Sequence, residues 1–195
     1  LHNVVVGDLD GDGDQDIAGT ITFDQGNVEV WENRLTTLDQ SRSEAPRLLV
    51  FWKTDIAFHE SIPDAIRAIR EMARRNGTQV DDTSDAHMMK EMVLARYQAV
   101  IFLSTQGEIL NLKQKAAFER YIKTGGGFVG IHSAADTESN WPWYGKLIGA
   151  RYGGSHSEVV RAVVYREGGT HASTKGLPER WDWIDEWYNF SPNPR

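Results

Sequence analysis

The stretch that decides the fold is GGGFVGIHSAAD, residues 125–136. Its glycines end a helix, a short apolar run forms a buried strand, and the chain then turns at His132. In open α/β sheets, ligands bind in the crevice outside the carboxyl ends of the strands. The stretch therefore places His132, Ser133 and Asp136 where chemistry is usually done, although tight packing around a hydrogen-bonded histidine explains the same residues equally well.

Upstream of this stretch, apolar runs alternate with segments of helical periodicity. The predicted strands cover residues 47–52, 79–81 and 99–103 and resume at Phe128, and the predicted helices cover residues 62–75, 88–97 and 112–123. Ser61 is expected to cap the first helix and Asn111 the third. Four alternations of strand and helix predict an α/β fold with a doubly wound parallel sheet and right-handed crossovers.

Aromatic residues gather after this alternating pattern. Five of the seven tryptophans follow residue 140. We expect a short helix through Ile148, a strand over residues 159–165, and an aromatic segment over residues 181–190 that contains Asp185 and Glu186. Aromatic rings beside carboxylates commonly bind sugar rings by stacking. Clustered tryptophans, however, more often belong to a hydrophobic core.

The negative charge of the sequence lies at its front. The net charge is −7, and residues 1–46 carry ten acidic and two basic residues against eighteen and nineteen in residues 47–195. This asymmetry argues for cation binding at the front and against a nucleic-acid partner. The sequence contains no cysteine, which excludes disulfides, thiolate nucleophiles and cysteine-ligated metals.

The sequence contains neither an apolar run long enough to span a membrane nor a leader peptide. We therefore expect no membrane partner. The sequence begins at Leu1 within a predicted strand, which suggests a fragment or a processed product.

A calcium loop is predicted in the acidic front end, between short strands that read as a β-hairpin-like appendage. Carboxylates at alternate positions of a tight, glycine-bearing loop converge on one point, as a hard cation requires. The residues that would surround Ca²⁺ are Asp8, Asp10, Asp12, Asp14 and Asp16. An EF-hand would place glutamate where Gly19 stands, and its flanks would be helices. An acidic surface turn that binds nothing tightly is the alternative.

Residues 3–34 resemble the FG-GAP or VCBS repeat, a calcium-stapled unit of β-propellers. Because that repeat occurs mostly in exported and surface proteins, the resemblance implies an extracellular or periplasmic location. We therefore divide the sequence into a partial repeat at residues 1–34, a linker at residues 35–46 and a main domain at residues 47–195.

The main domain resembles the ThuA-like family, named for trehalose utilisation. The resemblance rests on ordered motifs: FHESIP at residues 58–63, the stretch at 125–136, WPWY at 141–144, the segment around His156, HAST at 171–174 and DEWYNF at 185–190. It implies a flavodoxin-like sheet of the class I glutamine-amidotransferase type and an association with carbohydrate metabolism.

Two departures from these relatives affect the functional interpretation. Amidotransferases of this fold carry a cysteine nucleophile on the sharp turn, where this sequence has His132, so glutamine hydrolysis through a thiolate is excluded. The family's domain also continues beyond the point at which this sequence stops, at Arg195. Since a truncated sheet leaves an unpaired edge, we expect dimerisation that completes the sheet.

The first functional hypothesis is a glycosidase-type hydrolase acting on glycosides or oligosaccharides. Such chemistry uses two carboxyl groups that flank the scissile bond, and histidines can carry protons. The candidate catalytic residues are His59, Glu108, His132, Asp136, Glu138, Asp185 and Glu186. The candidate substrate contacts are Ser133, Trp141, Trp143, Tyr144, His156, Trp187 and Tyr188. Taken singly, each of these carboxylates is explained equally well as a solvated surface acid or as a helix cap.

Two further hypotheses stay open. Histidines 59, 132, 156 and 171, together with Asp136 or Asp185, could ligate a catalytic metal, but none of them shows the close helical spacing of a zinc motif. A non-catalytic carbohydrate-binding module also fits the aromatic tail and the missing cysteine. No organic cofactor is predicted.

Overall fold

A computed structural model of the protein describes residues 4–7, 16–21, 27–31, 45–156, 158–166, 174 and 176–192. The chain divides into two compact units. The first contains the described residues from 45 to 138, and the second contains those from 4 to 31 and from 139 to 192. No helix among the described residues is both long and apolar enough to cross a membrane.

Three short strands form the front of the chain. They are β1 (Val4–Gly7), β2 (Asp16–Ile21) and β3 (Asn27–Trp31), and they pair antiparallel in the order β1-β2-β3. The short strands predicted around the acidic loop are present at these places.

A parallel sheet of four strands forms the centre of the first unit. Its strands are β4 (Arg47–Phe51), β5 (Gln79–Thr83), β6 (Ala99–Leu103) and β7 (Gly127–Ile131). They pair in the order β5-β4-β6-β7, and each pair is parallel. This is the flavodoxin-like order, in which the second strand lies outside the first. The predicted α/β class with a doubly wound parallel sheet is confirmed.

Helices flank this sheet. They are α1 (Ile62–Arg75), α2 (Glu91–Leu94) and α3 (Leu112–Lys123), and 3₁₀ turns occur at Ala86–Met88 and His132–Asp136. The boundaries of α1 and α3 agree with the sequence pattern. Asn111 caps α3 in a capping box with Gln114 as predicted, whereas Ser61 adopts helical backbone angles and makes no side-chain cap.

The predicted helix over residues 88–97 is mostly absent. Only Glu91–Leu94 is α-helical, and a separate 3₁₀ turn precedes it. The buried residues of this segment are Ala86, Met89, Leu94 and Tyr97. The helix is interrupted at Lys90, whose backbone is extended, with a φ of −129° and a ψ of 144°.

The core of the first unit lies on the central strands. Val50, Phe51 and Phe102 are fully buried. From α3, Phe118 stacks on Phe102 with ring centroids 5.1 Å apart, and Phe128 of β7 meets the same ring edge-on at 5.3 Å. These aromatic contacts fix α3 on the sheet and thereby fix where β7 ends.

The second unit adds a short helix and two antiparallel strand pairs in its later part. The helix is α4 (Pro142–Ile148), and the strands are β8 (Arg151–His156), β9 (Val160–Tyr165), β10 (Arg180–Asp185) and β11 (Tyr188–Ser191). Strand β9 pairs with β10, and β8 pairs with β11. The aromatic segment predicted over residues 181–190 therefore consists of two strands.

Candidate functional site

The carboxyl edge of the parallel sheet forms the candidate site. The strand order reverses between β4 and β6, and in a flavodoxin-like sheet ligands bind at that reversal. The loops that leave this edge span residues 52–61, 104–111 and 132–138. They contain most of the predicted catalytic residues of the first unit.

Backbone strain is concentrated at this edge. Among the described residues, the non-glycine residues with positive φ are Ser104 (48°), His132 (56°) and Glu138 (52°). All three follow the ends of β6 or β7. Left-handed backbone in such residues is unfavourable and clusters at functional sites, where the surrounding structure enforces it. The strain therefore indicates function independently of the side-chain chemistry.

His132 stands on the sharp turn that the sequence predicts. It follows β7 directly and begins the 3₁₀ turn His132–Asp136. The turn requires small residues, because a Cβ atom at Gly130 would lie 3.3 Å from Cβ of Ala134. The backbone is that of a nucleophile elbow, which lifts one side chain above the end of a strand. Here the lifted side chain is an imidazole.

A second imidazole lies against the first. The ring centroids of His59 and His132 are 4.4 Å apart, with an angle of 48° between the ring planes. Both side chains are half-buried. His59 lies on the loop after β4 and His132 on the turn after β7, so the pair spans the strand ends on both sides of β6. Each imidazole can donate or accept a hydrogen bond to a bound ligand through its ring nitrogens.

Hydrogen bonds beyond the strand ends hold the loops together. Asp55 N–H donates to the Gln106 carbonyl at 3.0 Å, and Gly107 N–H donates to the Asp136 carbonyl at 3.2 Å. Gln106 Nε2 also donates to Asp136 Oδ2 at 2.8 Å. Hydrogen bonding between neighbouring segments thus continues beyond the ends of the strands. These bonds also fix Asp136 beside the turn that carries His132.

Glu138 is buried beneath the loop that precedes α3. It has no exposed surface, and its Oε1 accepts backbone N–H bonds from Ile109 and Leu110 at 2.9 and 2.7 Å. Its Oε2 pairs with Lys115, which also contacts Glu108 Oε2 at 3.0 Å. Burial raises the pKa of Glu138, while Lys115 and the N–H of Leu110 oppose that rise. The cluster fixes residues 108–110 below the site.

Ser133 lies below the surface of the turn. Its side chain is fully buried, and its hydroxyl oxygen has no hydrogen-bond partner among the described residues. Its predicted role as a substrate contact stays a prediction.

Comparison with known proteins identifies the family of this chain. The profile of the ThuA family, described as trehalose utilisation, matches residues 47–195. This chain belongs to the ThuA family. No curated protein matches the sequence.

Two solved structures resemble the chain. A ThuA-like protein from Bacteroides uniformis is 24% identical, with a TM-score of 0.68, and the match covers 82% of this chain and 67% of that one. A ThuA-like protein from Parabacteroides merdae is 18% identical, with a TM-score of 0.63 and coverages of 75% and 63%. At these identities the likeness establishes the fold. The present chain spans about two thirds of the length of both proteins.

The remaining predicted residues of this ThuA-family chain belong to the second unit. Trp141 lies 5.0 Å from Trp143 and 6.1 Å from Tyr144 between ring centroids, and Tyr144 is fully buried. Tyr144 therefore belongs to the packing around α4, whereas Trp141 and Trp143 are half-buried and their role as substrate contacts stays a prediction. His156 ends β8, opposite Tyr188 of β11.

The acidic pair of the second unit lies at the end of β10. Asp185 Oδ1 accepts the N–H of Glu186 at 2.8 Å, and its Oδ2 accepts Nε1 of Trp183 at 3.3 Å. Trp187 Nε1 donates to the Val160 carbonyl at 2.9 Å. Asp185 thus caps local backbone, as a carboxylate at a strand end commonly does.

Neither metal prediction is decided by the structure, since His171 and the side chain of His156 also lie outside what it describes. Asp8, Asp10, Asp12 and Asp14 lie outside the described residues, and Asp16 is the first residue of β2, so calcium binding stays a prediction. In the described part of the chain, no three histidine, aspartate or glutamate side chains gather closely enough to hold a metal ion.

Sequence reasoning missed Gln106, Lys115 and Lys53. Gln106 holds Asp136, Lys115 neutralises the buried glutamate, and Lys53 Nζ donates to the Ile109 carbonyl at 3.1 Å. A signal for two of them was present, because polar residues directly after buried strands lie at the ligand edge of such a sheet. Lys115 gave no such signal, since it lies inside a helix.

Proposed function

We propose that this ThuA-family protein is a carbohydrate-active hydrolase that acts on glycosides through His59, His132 and Asp136. The observation that carries the proposal is the contact between the two imidazoles at the strained turn, 4.4 Å apart between ring centroids. The family's description as trehalose utilisation supports a sugar as the substrate.

The environments of the carboxylates favour an acid–base role for the histidines. Glycoside hydrolysis usually needs two carboxyl groups beside the scissile bond. In the first unit, Glu108 and Glu138 both pair with Lys115, and Glu138 is fully buried. Asp136 is half-buried and bonded to a neutral amide. Asp136 is therefore the carboxylate we assign to catalysis, and an imidazole replaces the second carboxyl group.

The roles follow from this assignment. A protonated imidazole of the pair donates its proton to the leaving-group oxygen as the glycosidic bond breaks. The Asp136 carboxylate accepts a proton from the water that attacks the sugar carbon. Gln106 keeps that carboxylate oriented through its 2.8 Å hydrogen bond.

The test is turnover of trehalose and of 4-nitrophenyl glucosides by the wild type and by His59→Asn, His132→Asn and Asp136→Asn. Loss of a positioned acid or base lowers the rate by about 10²–10⁴-fold, and we expect this of each variant. The control is His87→Asn, because His87 is exposed on the 3₁₀ turn Ala86–Met88. Rates unchanged in all three variants would remove these residues from the mechanism.

A non-catalytic sugar-binding module is the second candidate. It is favoured by the pairing of both neighbouring glutamates with Lys115, which leaves the site with one assigned carboxylate. Calorimetric binding of trehalose by the wild type, with no product after prolonged incubation, would select this candidate over the hydrolase.

A further inference from the structure

We infer that Phe58 forms an aromatic subsite on which a sugar ring stacks beside the imidazole pair. This inference rests on the proposed function, because it takes the ligand to be a saccharide. The subsite lies in the first unit, on the loop between β4 and α1.

Phe58 is an exposed apolar ring on the loop that carries His59. It is 55% exposed, and its neighbour in sequence is His59, whose ring contacts His132. A ligand that covered the ring would remove its apolar surface from water, which is favourable. Because His59 is the next residue, the exposed ring lies on the loop that carries one imidazole of the pair, and a sugar bound at the pair is the ligand we assign to it.

The ring of Phe58 packs against an anchored tryptophan. Phe58 meets Trp52 edge-on, with ring centroids 6.3 Å apart and an angle of 77°. Trp52 Nε1 donates to Asp82 Oδ2 at 3.3 Å, and the other oxygen of Asp82 pairs with Arg70. Because Trp52 is anchored in this way, Phe58 stands on a fixed base. A fixed aromatic face binds a ring at low cost in conformational entropy.

The loop that carries Phe58 is also fixed on its other side. A Cβ atom at Gly107 would lie 3.2 Å from Asp55 Cβ and 3.4 Å from Ile56 Cγ1, so the loop packs closely on the segment after β6. Ile56 is 68% exposed and extends the apolar surface. The C–H face of a pyranose is apolar while its hydroxyls are polar, and this combination matches an aromatic face beside imidazoles.

The test is calorimetric binding of trehalose to the wild type and to Phe58→Ala, Phe58→Leu and Phe58→Tyr. We expect Phe58→Ala to weaken binding on the order of tenfold. Phe58→Tyr keeps the ring and should stay within about threefold of the wild type, and Phe58→Leu should fall between them. If the protein turns trehalose over, Phe58→Ala should raise KM with little change in kcat, because stacking stabilises the bound substrate and the transition state equally.

The matched control is Met92→Ala, which truncates another exposed apolar side chain, 88% exposed on α2. Equal binding by wild type, Phe58→Ala and Met92→Ala would overturn the subsite and leave the proposed function standing. A wild type that neither binds nor cleaves trehalose or the 4-nitrophenyl glucosides would overturn the proposed function and the subsite with it.

Discussion

A buried carboxylate beside a strained turn shows how one residue's environment decides its role. Glu138 follows the same strand as His132 and from sequence alone is an equally good catalytic candidate. The structure gives it no exposed surface, two backbone N–H donors and Lys115 as a counter-ion. Both oxygens of its carboxylate already bind groups of the protein itself. We therefore interpret Glu138 as a residue that positions the loop over 108–110.

Removing the charge of Glu138 should destabilise the fold. Glu138→Gln removes the buried charge that accepts two backbone N–H bonds and leaves Lys115 with Glu108 as its remaining partner, so it should lower the free energy of unfolding by about 2–4 kcal/mol. The matched variant is Glu108→Gln, which removes the more exposed partner of the same lysine and should cost about 1 kcal/mol or less. Urea unfolding of both variants measures the difference, and equal losses would contradict the role given to Glu138.

The same cluster predicts that the stability of the protein depends on pH in the alkaline range. Burial lowers the pKa of Lys115, but hydrogen bonds to Glu138 and Glu108 outweigh it and the net shift is upward. The folded protein thus holds this proton more tightly than the unfolded chain. Its contribution to stability is complete below the ordinary lysine pKa of about 10.4 and is lost as pH rises above it. The stability gap between the wild type and Lys115→Met should shrink over that range.

At the scale of elements, the triple glycine explains how α3 and β7 join. Gly125 has a φ of 97°, which ends the helix in the left-handed region. A Cβ atom at Gly126 would collide with the ring of Tyr121, and one at Gly127 would lie 3.0 Å from Cβ of Ala99. The three positions thus have three different reasons to be glycine.

Substituting the middle glycine should be costly. Gly126→Ala should lower the free energy of unfolding by about 1–3 kcal/mol, because its methyl group meets a buried tyrosine ring. Gly176→Ala is the control, since a Cβ atom there has no neighbour within 4 Å among the described residues and its φ is not positive. Thermal unfolding of both variants checks this, and a Gly126→Ala protein as stable as the control would show that Tyr121 moves aside freely.

The elements that sequence predicted best are those whose pattern is local. The strand β6 is a continuous apolar run, and α3 carries its own capping box at Asn111, so both were found with their boundaries. The segment before β6 was predicted as a longer helix. It is interrupted at Lys90, whose extended backbone the local helical pattern does not predict.

At the scale of the whole molecule, the sequence pattern predicted the position of the candidate site better than it predicted the environment of each candidate residue. Parallel strands end at one edge, so placing His132 and Asp136 there needed only the order of elements. The contact of His59 with His132 and the neutralisation of Glu138 by Lys115 join distant parts of the chain, which spacing does not reveal. Calcium binding at residues 8–16 and a dimer stay predictions.

The central claim is that the imidazoles of His59 and His132 are the groups that a sugar meets. The sequence contains six histidines, so the side-chain signals in nuclear magnetic resonance spectra can be assigned by single His→Asn variants. We expect titration with trehalose to shift the signals of His59 and His132 and to leave that of exposed His87 in place. Shifts confined to other histidines, with those two signals unmoved at saturating sugar, would contradict the account.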